Sequence, residues 1–269
     1  MRGISRASLA EVEQRLAPLT ADPVAAAGLG NELFAVAGLL ASQPALRRAL
    51  SDQSRPASAR SALASSVLAG KISDDAAALV AAAAAARWSA AGDLTDAVEQ
   101  LAVQAILAAA EANGHLDDLE DELFRFGRIV ASTPELRIAL TNPFVTAQAK
   151  RDLLSGLLDG KVTPESLRLV TEAAASPLGR SLDVSLDEYA RIAARRRERL
   201  VAEVHVAVPL TDEQRVRLAS ALSAAYGHQV HLNLVIDPKV AGGMTVRIGD
   251  ELIDGSVTTR LAAARRLVA

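Results

Sequence analysis

Between Ile236 and Ser256 the chain reads "IDPKVAGGMTVRIGDELIDGS", with four glycines and four acidic residues set among apolar positions of strand type. Glycines at that density can bring backbone N–H groups up to a phosphate. Carboxylates held in a cleft with separated pKa values perform general acid/base work, and the candidates here are Asp237, Asp250, Glu251 and Asp254. Turn chemistry accounts for the same residues more economically. Asp237-Pro238 suits a turn entry, Gly242-Gly243 a bend or bulge ahead of a strand, Gly249-Asp250 a hairpin tip, and Asp254-Gly255-Ser256 a turn feeding a helix cap. Each residue has a local structural role, so the sequence favours a hairpin over a catalytic or phosphate site.

Other candidates weaken on the same inspection. "LAGKIS" and "LDGKVT" resemble a phosphate-binding lysine loop, but Ser65 stands where the first glycine belongs, Gly156 is at the wrong distance, and Ile72 and Val162 replace the required hydroxyl. Gly70 and Gly160 read instead as helix ends. His228 and His231 are three apart on an expected strand and point to opposite faces, so they do not share a metal ion, and His115 and His205 bring no third ligand near them. "ARRRER" (194–199) has no interleaved aromatic residue to stack on bases and reads as a helix end whose arginines complement the dipole. No catalytic, cofactor or metal residue is assigned.

The elements that must position these residues come in two kinds. "LGNELFAVAGLLASQPALRRAL" (29–50) aligns with "LEDELFRFGRIVASTPELRIAL" (119–140) at an offset of 90, and 18 of the 44 positions from Leu29 to Ile72 match their partners without a gap. In the second copy, stripes such as Leu116, Leu119, Leu123, Phe126 and Val130 predict six helices with short connections, punctuated by Asn113-Gly114, Pro134, Thr146, Gly160 and Thr163-Pro164. A period of 90 makes the last helix of copy one the first helix of copy two, so one continuous helix is expected over 93–112. Copy one has weaker stripes and more serine and alanine, which predicts that the second copy is the better-preserved bundle. After Arg199 the period changes to two: "LVAEVHVAV" and "QVHLNLVI" alternate as strands around a helix over 211–225, "MTVRI" and "ELI" flank Gly249-Asp250, and Ser256 caps a last helix.

The expected fold is therefore mainly α: two tandem helical bundles sharing a helix, then a small α/β domain, with domains 1–92, 93–199 and 200–269. Composition agrees, because half of the 269 residues are apolar but only 3% are aromatic, and alanine and leucine dominate. A net charge of −3 supplies no basic field for nucleic acid or anionic lipid, and the absence of cysteine excludes disulfides and thiolate metal sites. The N-terminus lacks the apolar core of a signal peptide, and the run Ala76 to Ala86 is far short of the roughly 20 residues a bilayer requires.

Residues 230–268 resemble the C-terminal signature of the delta subunit of bacterial F-type ATP synthase, the counterpart of the mitochondrial oligomycin-sensitivity-conferring protein. Asp237-Pro238, Gly242-Gly243, "RIGD" (247–250) and Ile253-Asp254-Gly255-Ser256 ahead of a helix with Leu261 carry the resemblance. Residues 107–158 resemble that family's N-terminal six-helix domain, and the extra first copy is similar to the duplicated arrangement of actinobacterial delta subunits. The resemblance implies a non-catalytic stator subunit without cofactor, which links the catalytic head to the peripheral stalk so that the head resists rotor torque during proton-driven ATP synthesis. It implies as partners the N-terminal helices of alpha subunits and the b-type stalk subunits, no nucleic acid, and a peripheral place on the cytoplasmic side of the cell membrane through the complex alone. Partner contacts are expected at Val257, Leu261 and Leu267. The competing reading is a helical-repeat enzyme or regulator whose α/β tail binds a phosphate-containing ligand through Gly242, Gly243 and Gly249.

Overall fold

The computed structural model describes residues 3–176, 178–198, 201–226, 230–237, 240, 242–248 and 251–254. The chain divides into two compact units, Met1–Ala193 and Ala194–Ala269. The first unit begins with α1 (Gly3–Leu16), α2 (Pro23–Ser42), α3 (Pro44–Ser51), α4 (Ala57–Leu68), α5 (Asp74–Ala85) and α6 (Ala91–Ala112). It continues with α7 (Leu116–Ser132), α8 (Pro134–Thr141), α9 (Ala147–Leu158), α10 (Pro164–Ala175) and α11 (Leu182–Glu198). Shifting by 90 residues carries α1–α6 onto α6–α11, so the expected shared helix is present as α6.

The apolar positions explain why α6 is the hub. Between Ala97 and Ala110 it is apolar nearly all round, the pattern of a helix surrounded by protein. Leu94, Ala97, Val98, Leu101, Ala102, Val103, Ala105 and Leu107 are completely buried. α2 packs closely along it, and a Cβ added at Gly30 would sit 2.7 Å from Ile106 Cδ1 and 3.1 Å from the Ala102 carbonyl oxygen. α2 is also the one described helix with the length and mean hydropathy to cross a membrane. Its Leu29, Leu33, Phe34, Val36, Ala37 and Leu40 are instead buried in the protein core.

The period of 90 extends to individual bonds. Ser73 Oγ caps α5 by accepting from Ala76 N at 3.3 Å, and Thr163 Oγ1 caps α10 by accepting from Ser166 N at 3.3 Å. Glu32 accepts from the backbone N–H and hydroxyl of Ser73, as Glu122 does from those of Thr163. The buried cations Arg60 and Lys150 also match: Arg60 donates to the carbonyls of Ala84, Ala85 and Ala86 at the end of α5, and Lys150 Nζ donates to Ala174 O near the end of α10. Both meet carbonyls that a helix end leaves without partners. Gly70 and Gly160 adopt φ of +68° and +70°, ending α4 and α9 in the left-handed conformation that glycine accepts without a Cβ penalty.

In the second unit β1 (Val201–Val206), α12 (Asp212–Tyr226), β2 (His231–Ile236), β3 (Met244–Ile248) and β4 (Glu251–Asp254) form a four-stranded sheet of order β2-β1-β3-β4. β1 and β2 are parallel with α12 as the crossover, and the other pairs are antiparallel. Period-two alternation turns Ala202, Val204 and Val206 inward with Val246, Ile248 and Leu222, while Glu203 and His205 lie on the other face. Thr211 opens α12 through a reciprocal cap, its N–H donating to Gln214 Oε1 at 2.9 Å and its Oγ1 accepting from Gln214 N at 3.3 Å. The expected final helix from Ser256 lies outside the described residues.

Candidate partner-binding surfaces

The glycine-rich stretch behaves as turn chemistry wherever it is described. Asp237 N–H donates to Val206 O at 3.0 Å, Val240 N to Asp237 O at 3.1 Å, and Gly242 N to Val240 O at 2.8 Å. Gly242 and Gly243 follow with φ of +78° and +82°, the left-handed pair that turns the chain into β3. In the β3–β4 pair Ile248 stands opposite Glu251. Pro238, Gly249, Asp250, Gly255, Ser256, Val257, Leu261 and Leu267 lie outside the described residues, as does His228. Asp254 ends β4.

Glu203, Asp237 and Glu251 of this unit are each engaged by a neighbouring side chain. His205 stands between two of them, Nε2 3.1 Å from Glu203 Oε1 and Nδ1 3.8 Å from Asp237 Oδ2. Arg247 pairs with Glu203 across β1 and β3, and its hydrogen bond, with that of His205, holds the Glu203 carboxyl below its ordinary range. Tyr226 Oη donates to Glu251 Oε2 at 2.8 Å, which raises the phenol. Among the described residues no group of three or more His, Asp or Glu is arranged to hold a metal ion.

Among the described residues, the most deeply buried carboxylate of an ion pair is in the first unit. Glu99 of α6 is 2% exposed, pairs with Arg180, and accepts from Tyr189 Oη of α11 at 2.7 Å. Burial pushes the Glu99 carboxyl up, while the Tyr189 hydrogen bond and the Arg180 charge oppose the rise. Burial raises Asp96 one turn earlier, and it pushes Tyr189 well above the usual phenol range. Perturbed groups of this kind mark active sites when they line a cleft. These are enclosed by packed helices, and they fasten α11 onto the hub. The sequence carries a signal for this cluster, because a glutamate inside a helix that is apolar nearly all round must be buried with a partner.

A second link joins the copies directly. Arg168 of α10 donates from Nε to Asn31 Oδ1 on α2, and its guanidinium lies 5.2 Å from the centre of the Phe34 ring. Tyr189 packs against the same ring at 6.4 Å between centroids. Phe34 is thereby buried to 1% exposure.

The copies part at the surface. In copy two Phe124, Ile129, Ile138, Phe144 and Leu157 are exposed, Phe144 at 94%. The matching positions of copy one are the buried Phe34, the half-buried Leu39 and Val67, and the polar Arg48 and Ser54. The weak stripes of copy one thus mislead. Its alanines and serines suit close helix packing, and among the described residues it exposes only Ile4 and Val24 as large apolar side chains, fewer than the second copy. In the C-terminal unit Val208, Val216, Ile236 and Leu252 are exposed. Large apolar side chains left exposed offer contact area to other proteins where they adjoin.

Comparison with known proteins gives one answer. The family described as ATP synthase delta (OSCP) subunit matches residues 103–267. The chain is similar to proteins named ATP synthase subunit delta from Streptomyces griseus, 47% identical over 100% of both chains, and Thermobifida fusca, 44% identical over 100% of both. The one from Kineococcus radiotolerans is 47% identical over 99% of this chain and 97% of its own. These matches include the first helical copy, which the family match leaves out. A chain of the Toxoplasma gondii mitochondrial ATP synthase hexamer, solved by cryo-EM, aligns with 62% of this chain and 95% of its own at 22% identity, with a TM-score of 0.32.

Proposed function

Because the chain belongs to the ATP synthase delta (OSCP) family, whose members are structural subunits of the peripheral stalk, we propose that it is a non-catalytic adaptor between the head and the stalk. In this reading the helical copies, 1–92 and 93–199, serve the head, and the helical surface takes N-terminal helices of alpha subunits. The C-terminal domain, 200–269, takes the b-type stalk subunits. Val257, Leu261 and Leu267 belong to that second surface. Asp237, Pro238, Gly242, Gly243, Gly249, Asp250, Asp254, Gly255 and Ser256 act as corners of its fold. The chain lies on the cytoplasmic side of the membrane and is held there through the complex.

The observation that carries this reading is the exposure of large apolar side chains on both units, beside glycines and carboxylates engaged in turns and ion pairs. A stator element must also transmit force without yielding. Hub helix α6 supports this, because it belongs to both copies and is buried along most of its length. Joining partners at several places raises the effective concentration of each contact, so one loosened interface does not release the assembly.

The test is recovery and crosslinking of the full-length chain from its own membranes. The adaptor reading expects alpha and b subunits in the recovered complex, with alpha crosslinks on residues 1–199 and b crosslinks on 200–269. Recovery of the chain without either subunit would overturn it.

A further inference from the structure

The contact that seals Phe34 has an exposed twin. Asn31 and Phe34, one turn apart on α2, together hold the guanidinium of Arg168 from the following copy. Ninety residues on, the same two positions of α7 are Asp121 and Phe124. The second copy is followed by the strands and helix of the α/β unit, so the tandem repeat does not place an equivalent of Arg168 on this pair. Phe124 is 61% exposed where Phe34 is 1%. The pair is also better suited to a cation, because a carboxylate replaces the amide and makes the hydrogen bond charge-assisted.

The helix already shows this preference. Arg125 pairs with Asp121, and Arg128 lies 6.0 Å from the centre of the Phe124 ring, both within α7 and on its surface. Contacts of this type, exposed and four residues apart, are weak and exchange readily. They keep the site occupied until a buried guanidinium replaces them.

We propose that Asp121 and Phe124 form a receptor for an arginine side chain on the N-terminal helix of an alpha subunit, held on α7 as the Arg168 side chain is held on α2. The proposal rests on the adaptor reading and assigns its head contact to one face of the second copy. An arginine satisfies both halves of the site, the ring through its flat cationic face and the carboxylate through its N–H groups.

The experiment uses ATP synthase stripped of this chain, to which the full-length chain and its variants are rebound and their affinity measured. Phe124→Leu keeps an apolar side chain and removes the ring face, and Asp121→Asn restores the residue type of copy one. Both positions are exposed, and circular dichroism is expected to be unchanged. Phe124→Leu is expected to weaken rebinding about tenfold, and Asp121→Asn about threefold. Arginine-to-lysine changes in the alpha N-terminal helix are then expected to include one that weakens binding of the wild-type chain and has no further effect on Phe124→Leu. Rebinding of the Asp121→Asn, Phe124→Leu double variant at wild-type affinity would overturn the proposal and leave the adaptor reading standing. Weakened rebinding with no coupled arginine would overturn the arginine occupant. Failure of the wild-type chain to rebind would overturn both readings.

Discussion

Copies one and two share a fold, a period and several individual hydrogen bonds, yet they treat their apolar side chains differently. Phe34 is sealed between the copies, while Phe124 at the matching position faces outward. Arg48 and Ser54 are polar where Ile138 and Phe144 are exposed and apolar. Since the sister copy folds without an apolar residue at those two positions, the fold does not require one there. The difference separates what holds the bundle together from what it offers to other proteins. Copy one spends its flank on copy two, and copy two keeps the corresponding flank open.

Matched substitutions can break that comparison, and the aromatic pair gives the largest contrast. Phe34→Ala removes a buried ring between copies and is expected to cost about 3–5 kcal/mol in denaturant unfolding, against less than about 0.5 kcal/mol for Phe124→Ala. Equal costs would mean that the α7 face is part of the core. The buried cations come next. Arg60→Met leaves three carbonyls of α5 without their donor and is expected to cost about 2–3 kcal/mol. Lys150→Met loses one bond of 3.4 Å and is expected to cost about 1 kcal/mol.

The capping staples test the likeness rather than the difference. Ser73→Ala and Thr163→Ala each remove a helix cap and a tie to a glutamate, and each is expected to cost about 1–1.5 kcal/mol. A large inequality would show that the repeated bonds are not equivalent in energy. The smallest effect concerns pH. Burial alone would raise Glu165, but hydrogen bonds from Asn113 at 2.7 Å and His115 at 3.0 Å outweigh it and hold the carboxyl below its ordinary 4.5. The folded value is lower than the unfolded one, so the stabilisation is complete above 4.5 and is lost as pH falls through the folded value. Melting followed from pH 6 to pH 3 should show Glu165→Gln with a flatter acid limb than the wild-type chain, and an unchanged limb would contradict the assignment.

Local signals made most of the architecture legible. Period 90, the helix stripes, the threonine caps and the paired glycines are properties of neighbouring residues, and they specified the shared helix and the α/β tail without tertiary information. What escaped depends on contacts far apart in the chain. The shared "ELF" does not distinguish Phe34 from Phe124, although the helices around it differ: α2 is apolar along most of its length, while α7 sets charged residues between its apolar ones. Which contacts cover each ring is not local: Phe34 is packed with Arg168 and Tyr189 from the second copy. The apolar helix around Glu99 signals that it is buried with a partner, but not which, since Arg180 and Tyr189 lie 81 and 90 residues away. Copy one was underrated because alanine gives a faint stripe on paper yet allows the close approach seen between α2 and α6. For the partner surface, residues 237–256 identified the family, while the residues now expected to meet the head came from comparing the two copies.

The central claim is that this chain carries force between stalk and head and performs no chemistry itself. Its most direct test is to strip the chain from membrane vesicles, then measure ATP hydrolysis by the head and proton-driven ATP synthesis before and after adding the purified chain back. The account predicts that hydrolysis persists without the chain, that synthesis is lost, and that add-back restores synthesis. Proton-driven synthesis at full rate in vesicles free of the chain would contradict it.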